Sequence, residues 1–382
     1  MKDYRFPASL ALAAVGLLGL AGPGAAVELQ RPSKLVLTPL GNLLVAEVGT
    51  ATPVNSSRVS IVDAGGNRRT LIEGLPSAIN AVNLPTGASG LYLRGRTLFV
   101  TIGEGNVTRP GPFPRTEVAN PTPASPIFSS VLAVHFSADA ERNTTGVALT
   151  LADHEALKEG RRLVRFDADG RRITVGLVVD FPDFVPEPLP ILATNVRHSH
   201  PYGVVADDEF LYVVDGGFNL VHKVEIDTGL YETLVSFPLT PNPTAFGPRM
   251  IENVPTSIRW DGDRLLVTVL SGFPFIAGLS QVRAIDPDSG ANFALITGLA
   301  SAIDVLPLRE DGETVAYLAL EYSLAHLAGG PGRLRLFDAD GNPIAVVAGG
   351  LVTPSSMAYD PETGFVIVAE LDPGRLVLIP LL

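Results

Sequence analysis

The chain has 382 residues, of which 46% are hydrophobic and 18% charged, with a formal net charge of −12 and no cysteine. The acidic balance excludes a nucleic-acid binder that works by neutralising phosphates, and the absence of thiols excludes disulfide stapling and thiolate chemistry. Length and apolar content instead allow an extensive core, such as that of one closed β architecture.

Residues 1–26 read as a secretory signal, with Lys2 and Arg5 at the start, an apolar run from Ala8 to Gly22, and small residues Gly24-Ala25-Ala26 before the cleavage point. The run is shorter than the roughly 18 to 20 residues needed to cross a bilayer, and no later stretch reaches that length. The mature protein is expected to begin near Val27 and to reside in the periplasm or outside the cell. Arg outnumbers Lys 24 to 4, the codon signature of a GC-rich bacterial source.

From Pro32 onward the chain repeats. The segment from His200 to Leu239 holds four short apolar runs separated by Asp, Gly and Asn, at Val204–Ala206, Leu211–Val214, Val221–Ile226 and Glu232–Phe237, and so predicts a four-stranded blade. A sheet this small cannot bury both faces alone and requires neighbours built the same way. The start of its first strand, Pro201-Tyr202-Gly203-Val204, recurs at Pro32, Ala88, Pro255, Ala300 and Pro354. Six repeats at this spacing predict an all-β, six-bladed propeller of antiparallel four-stranded blades over residues 27–382.

The interval from Ala88 to Pro201 is twice the others and leaves room for a seventh blade. Against that, Leu163 to Gly170 echoes Leu334 to Gly341, including Asp-Ala-Asp-Gly, which places residues 162–180 as the outer hairpin of blade 2 and residues 103–161 as an insertion before it. The insertion contains a strand-like run at Val131–Phe136 and a short helix over Asp153–Glu159, capped by Asp153 and stopped by Gly160. Asp-Ala-Asp-Gly lacks the terminal Glu of a calcium loop and suits a hairpin turn. The last repeat runs out after three strands, so residues 27–31 are expected to supply its outer strand and close the ring.

In such a ring the starts of first strands and the ends of second strands share one rim. That rim gathers Glu47, Asp215, Ser271, Glu321 and Glu370, with Glu104 nearby and His198 and His200 from the first-strand side. Converging carboxylates could hold a hard cation such as calcium, and neutral imidazoles are metal ligands or bases, although strand ends also favour solvated polar groups for no functional reason. Arg259 and Asp304, on neighbouring first strands, read as a structural ion pair across the channel wall. Phe273 and Phe275, in Ser271-Gly272-Phe273-Pro274-Phe275, offer an apolar contact surface or else tuck under adjacent loops. No Gly-x-Ser-x-Gly elbow, His-Glu-x-x-His pair or phosphate-binding loop is present.

The sequences Asn195-Val196-Arg197-His198-Ser199-His200-Pro201-Tyr202-Gly203, Leu211-Tyr212-Val213-Val214-Asp215-Gly216-Gly217, Val254-Pro255-Thr256-Ser257, Leu270-Ser271-Gly272-Phe273-Pro274 and Ala302-Ile303-Asp304-Val305-Leu306-Pro307 before Leu320-Glu321-Tyr322-Ser323 together resemble the ScyD/ScyE family of exported bacterial propellers. The resemblance implies an NHL-like six-bladed propeller outside the cytoplasm, with no catalytic residue to carry over; His200 stands where relatives often have Asn. Two readings follow. One is a non-catalytic module binding a small apolar molecule, a polymer or an envelope protein through the top rim; the other is a metal-dependent hydrolase or lyase of the lactonase type.

Overall fold

The computed structural model describes residues 27–381; the expected signal segment lies outside the described residues. The architecture is a six-bladed β-propeller of antiparallel blades, each counted outward from its innermost strand. Blade 1 comprises Pro32–Leu37, Leu43–Glu47, Ser57–Val62 and Arg68–Leu75. Blade 3 comprises Pro201–Ala206, Phe210–Asp215, Leu220–Glu225 and Tyr231–Ser236, close to the four runs read from the sequence. Blade 4 runs from Asn253–Asp261 to Asn292–Leu299 and blade 5 from Ala302–Glu310 to Pro343–Leu351. Blade 6 comprises Pro354–Asp360, Phe365–Glu370 and Arg375–Pro380.

One irregularity repeats in every first strand. A bulge interrupts the ladder between Pro32 and Lys34, Ala88 and Gly90, Pro201 and Val204, Pro255 and Ser257, Ala302 and Asp304, and Pro354 and Ser356. Such a bulge bends the strand and re-aims a side chain. In three blades a bulge hydroxyl donates to the next blade: Ser33 to Ala88 O at 2.8 Å, Thr256 to Ala302 O at 3.2 Å, and Ser355 to Pro32 O at 2.6 Å. The last of these joins blade 6 to blade 1. The bulges also correct the register of the fifth repeat, which starts at Ala302 rather than Ala300: Ala300 and Ser301 belong to the crossover before it.

The ring closes where the sequence places the closure. Leu29 N donates to Gly374 O at 3.0 Å and Leu29 is buried, against Leu35, Leu43 and Leu376 among others. Gly374 immediately precedes the third strand, where Gly332 pairs with Leu351 and Ser57 with Leu75 in blades 5 and 1. Leu29 therefore stands where the last residue of the fourth strand stands in blades 1 and 5, joined to blade 6 by that bond and by packing. No side chain beyond hydrogen fits at Gly374, since a Cβ there would lie 2.3 Å from Leu29 O. Among the described residues the ladder of blade 6 itself has three strands.

Blade 2 is threaded differently from the expectation. Its order is Ala88–Arg94, Thr97–Ile102, Ser130–Phe136, Arg172–Asp180 and, outermost, Leu163–Phe166. The third strand thus comes from Ser130–Phe136, whose Val131, Leu132, Val134 and Phe136 are fully buried. Leu163–Phe166, with Val164 and Phe166 exposed, becomes a fifth edge strand. The echo of Asp-Ala-Asp-Gly located a hairpin but not its place in the sheet, because the turn chemistry is the same whichever side the hairpin joins. The stretch expected as one insertion is two: 103–129 leaves the top end of the second strand, and 137–162 leaves the lower end of the third strand and climbs the outer edge, where His154 Nδ1 meets Ser125 Oγ of the first at 3.1 Å. The second adds Val147–Ala148 in parallel to Arg68–Leu75 and so joins blade 2 to the outer edge of blade 1. Its helix is Leu151–Lys158, beginning two residues earlier than expected because Thr150 is the cap and Asp153 completes a capping box.

Candidate functional site

The rim is built in two tiers, and the expected carboxylates occupy the lower one. Glu47, Asp215, Glu321 and Glu370 end the second strands of blades 1, 3, 5 and 6 and are at most 1% exposed. Glu47 accepts Arg58 Nη2 at 2.7 Å and Arg58 Nε at 2.9 Å, together with Gln30 N from the crossover before blade 1. Glu321 accepts Arg333 and Ala300 N; Glu370 accepts Arg375 Nε at 2.6 Å and Val352 N at 2.6 Å. Each glutamate therefore links the end of the preceding blade to an Arg at the start of its own third strand. Asp215, one methylene shorter, accepts His200 N at 2.8 Å, Phe218 N at 2.9 Å and Ser199 Oγ. Burial opposes the ionisation of Glu47, but Arg58, Gln30 and Ser60 outweigh it and hold its pKa below the usual range. Blades 2 and 4 put Ile102 and Val269 at this position, while Glu104 and Ser271 lie two residues further along. In blade 4 the second strand continues to Ser271, whereas in blade 2 it ends at Ile102 and Glu104 lies in the top loop beyond.

The axis is closed by a second network. Asp304 accepts Arg259 Nη2 at 2.6 Å, Lys34 Nζ at 3.1 Å, Ser257 Oγ at 2.7 Å, Ser356 Oγ at 3.1 Å and Met357 N at 3.1 Å. These groups come from the first strands of blades 1, 4, 5 and 6, so one carboxylate bridges the channel. The Arg259–Asp304 pair is structural, as the sequence suggested. Burial and the neighbouring Arg259 lower Lys34 to about 8 despite Asp304, while the two cations hold Asp304 well below the carboxylate range against its own burial.

The histidines form a third group, beside blade 2. His200 Nδ1 lies 2.6 Å from Glu104 Oε2, and Asn80 Nδ2 donates to Glu104 Oε1 at 2.8 Å. His198 Nδ1 meets Glu117 Oε2 at 2.8 Å. Burial works against both charges, yet their mutual attraction prevails: Glu104 is held down at about 2, chiefly by His200 and then His198, and His198 is raised to about 9 by Glu117 and Glu104. His200 Nε2 is buried without a hydrogen-bond partner, close to the position a Cβ on Gly103 would take. Among the described residues, no three His, Asp or Glu side chains converge as metal ligands would.

The upper tier is aromatic. Phe275 stacks on His326 with centroids 4.0 Å apart and planes at 19°, and Tyr322 lies 5.3 Å from the same ring. Phe273 meets Phe275 edge-on at 6.3 Å and Phe246 at 5.6 Å. Arg115, reaching over from the upper insertion of blade 2, lies 4.6 Å from the Phe273 ring centroid. Loops of blades 2, 4 and 5 thereby meet above the ring. At the base of the Phe273 loop is a cavity of about 160 Å³, whose lining includes Thr240, Asn253, Ser271, Ser280, Gln281 and Thr297 and no charged side chain. The sequence located Phe273 and Phe275 but missed Phe246, Tyr322, His326, Glu117 and Arg115. The only signal for them was that each lies in a top-side connection, Phe246 between blades and the others between the second and third strands of blades 2 and 5.

No protein-family model matches the chain, and no curated protein does. Solved structures resemble its fold. An auxiliary nutrient binding protein from Bacteroides thetaiotaomicron is 9% identical with a TM-score of 0.50, over 92% of this chain and 69% of that one. A 6-phosphogluconolactonase-like protein from Bacteroides uniformis is 13% identical with a TM-score of 0.45, over 90% and 79%. A protein of unknown function from Bacteroides thetaiotaomicron is 12% identical with a TM-score of 0.48, over 93% and 70%. At these identities the likeness is one of fold alone.

Proposed function

We propose that this chain is an exported, ScyD/ScyE-like propeller that binds a small apolar or aromatic molecule at its top face without transforming it. The carrying observation is the division of the rim: Glu47, Asp215, Glu321 and Glu370 are saturated by partners from their own chain, while Phe273, Phe275, Tyr322 and His326 form the aromatic tier above them. An apolar wall beside a few neutral hydrogen-bonding groups is the usual composition of a small-molecule site. Phe273 and Phe275 supply an apolar wall above the uncharged cavity, whose own lining includes Ser271 and Ile251, and the four carboxylates hold the loops in place. His198 and His200 border the site from the crossover into blade 3, where Glu117 and Glu104 hold them.

The test is titration with a neutral aromatic fluorophore such as N-phenyl-1-naphthylamine. The native protein is expected to enhance its emission saturably, and a Phe273→Ala, Phe275→Ala double variant to weaken binding about tenfold, the equivalent of about 1.4 kcal/mol. Equal binding by the double variant overturns this reading.

A further inference from the structure

The cavity at the base of the Phe273 loop differs in kind from the aromatic tier above it. Its volume of about 160 Å³ is well below the roughly 300 Å³ of a site that encloses a whole ligand, and close to the roughly 150 Å³ that accommodates one six-membered ring. It therefore takes a single ring of a larger molecule. The polar lining converges from separate elements: Thr240 from the crossover between blades 3 and 4, Asn253 from the start of blade 4, Ser271 from the end of its second strand, and Ser280, Gln281 and Thr297 from its two outer strands. Ile251 and Leu279 add aliphatic surface.

Much of the hydrogen-bonding capacity of this lining is unspent. Asn253 Nδ2 is committed to Pro238 O at 2.5 Å and Thr240 Oγ1 at 2.7 Å, and Ser280 Oγ accepts Ser271 N at 3.1 Å. Ser271 Oγ donates to Ile276 O and Gln281 Oε1 accepts Arg283 Nη1, both at 3.3 Å. Among the described residues this leaves Asn253 Oδ1, Gln281 Nε2 and the hydroxyl hydrogens of Thr240, Ser280 and Thr297 without a partner. The charges nearest in sequence are engaged elsewhere, Glu252 with Arg197 at 2.8 Å and Arg283 Nε with Asn292 Oδ1 at 2.7 Å. A phosphate or carboxylate would require an Arg or Lys in the lining, and a cation would require a carboxylate, so the occupant is neutral.

We propose that the ligand of the top face is a glycoside: a neutral pyranose ring carrying an apolar or aromatic aglycone. A sugar ring has hydroxyls around its perimeter, each both donor and acceptor, and C–H groups on its faces. The cavity answers both, with hydroxyls and amides arriving from several directions and with Ile251 and Leu279 for the C–H faces. A hydrocarbon ring of the same size would leave those polar groups unpaired, which costs free energy at each one. The Phe273 and Phe275 wall above the cavity takes the aglycone. The inference rests on the reading above for the aglycone, while the cavity alone assigns the sugar.

The experiment is fluorescence anisotropy of 4-methylumbelliferyl glucoside, galactoside, mannoside and xyloside titrated with the purified native protein. The methyl ether of 4-methylumbelliferone serves as the same fluorophore without a sugar, and 4-methylumbelliferyl phosphate as an anionic counterpart. At least one glycoside is expected to bind about tenfold tighter than the ether, and the phosphate no tighter than the ether. A Gln281→Leu, Thr297→Val variant, changed at a half-buried and an exposed position, is expected to lose the preference for the glycoside while keeping its melting midpoint and its affinity for the ether. Equal affinity for the ether and all four glycosides overturns the proposal, as does a preference that survives in that variant or tightest binding of the phosphate. The Phe273→Ala, Phe275→Ala variant separates the two readings: it is expected to weaken the ether and the glycoside together, and a glycoside bound there as tightly as by native protein sinks the aromatic wall and leaves the sugar site standing. Absence of binding by every probe overturns both.

Discussion

On the bottom face, the turns between first and second strands and between third and fourth strands are mostly short and acidic, and their carboxylates are spent on local geometry. Asp338 Oδ1, for example, accepts Asp340 N at 3.0 Å and Asn342 N at 2.8 Å within one turn, and Asp286 does the same for Asp288 and Ser289. On the top face the connections lengthen, charge becomes scarce, and rings take the place of carboxylates. The same strands bound both faces, so the contrast comes from the connections. A tight hairpin dictates its residues, leaving little for recognition, whereas a crossover only has to reach the next blade and can carry whatever function requires. The carboxylates at the rim belong with the bottom face in this respect: they are fold devices that lie beneath the proposed binding surface.

The sharpest way to break this comparison is to delete one residue from each tier of the rim. Glu47→Ala strands Arg58 and the Gln30 amide beside a buried position and is expected to cost about 3 kcal/mol in chemical denaturation. Phe275→Ala, above the rim, is expected to cost no more than about 1 kcal/mol, because its ring is half-buried and stacks on a side chain from another loop. The reverse order would mean that the aromatic tier is the structural one.

A smaller effect separates the histidine group from both tiers. The folded pKa of His198, raised to about 9 from 6.5, contributes stability that is fully present below pH 6.5 and lost as pH rises through 9. Glu104, depressed to about 2 from 4.5, contributes stability present above pH 4.5 and lost as pH falls towards 2. Stability should therefore be greatest between about pH 5 and 6.5 and decline by about 1 to 3 kcal/mol towards pH 9.5. In His198→Gln the alkaline decline should flatten, as read from urea midpoints across the pH series; an identical slope would remove His198 from the account.

Much of this was legible in the sequence, and the limits have physical causes. The six first strands could be counted because a bulge that recurs in every blade keeps Pro or Ala at its start, at Pro32, Ala88, Pro201, Pro255, Ala302 and Pro354. The closure at Leu29 could be placed because the last repeat lacks a strand. Blade 2 was misthreaded because Val131–Phe136 and Leu163–Phe166 are both short and apolar, and only burial decides which is interior. The role of Glu47, Glu321 and Glu370 was hidden for a different reason. Position alone cannot tell a carboxylate facing solvent from one facing a cross-strand Arg, although Arg58, Arg333 and Arg375, each at the start of a third strand, were visible as a recurrent partner.

The smallest expected effect tests whether a metal lies behind that arrangement. An ion bound only by the folded state raises stability by about 2.7 kcal/mol at a hundredfold excess over its Kd, and a protein of this size would show that as a rise of several degrees in melting midpoint. Hard cations need oxygen lone pairs, and those of Glu47, Glu321 and Glu370 are largely occupied by guanidinium and backbone donors. Millimolar calcium and excess chelator are therefore expected to give midpoints within about 1 °C of each other. The comparison must use the native protein. A variant lacking these carboxylates would lose the links between blades whether or not a metal was present, so its lower midpoint could not distinguish the two. A clear calcium-dependent rise in the native protein would show that oxygen ligands gather somewhere on the ring, and would revive the lactonase-type hydrolase as the better account of the top face.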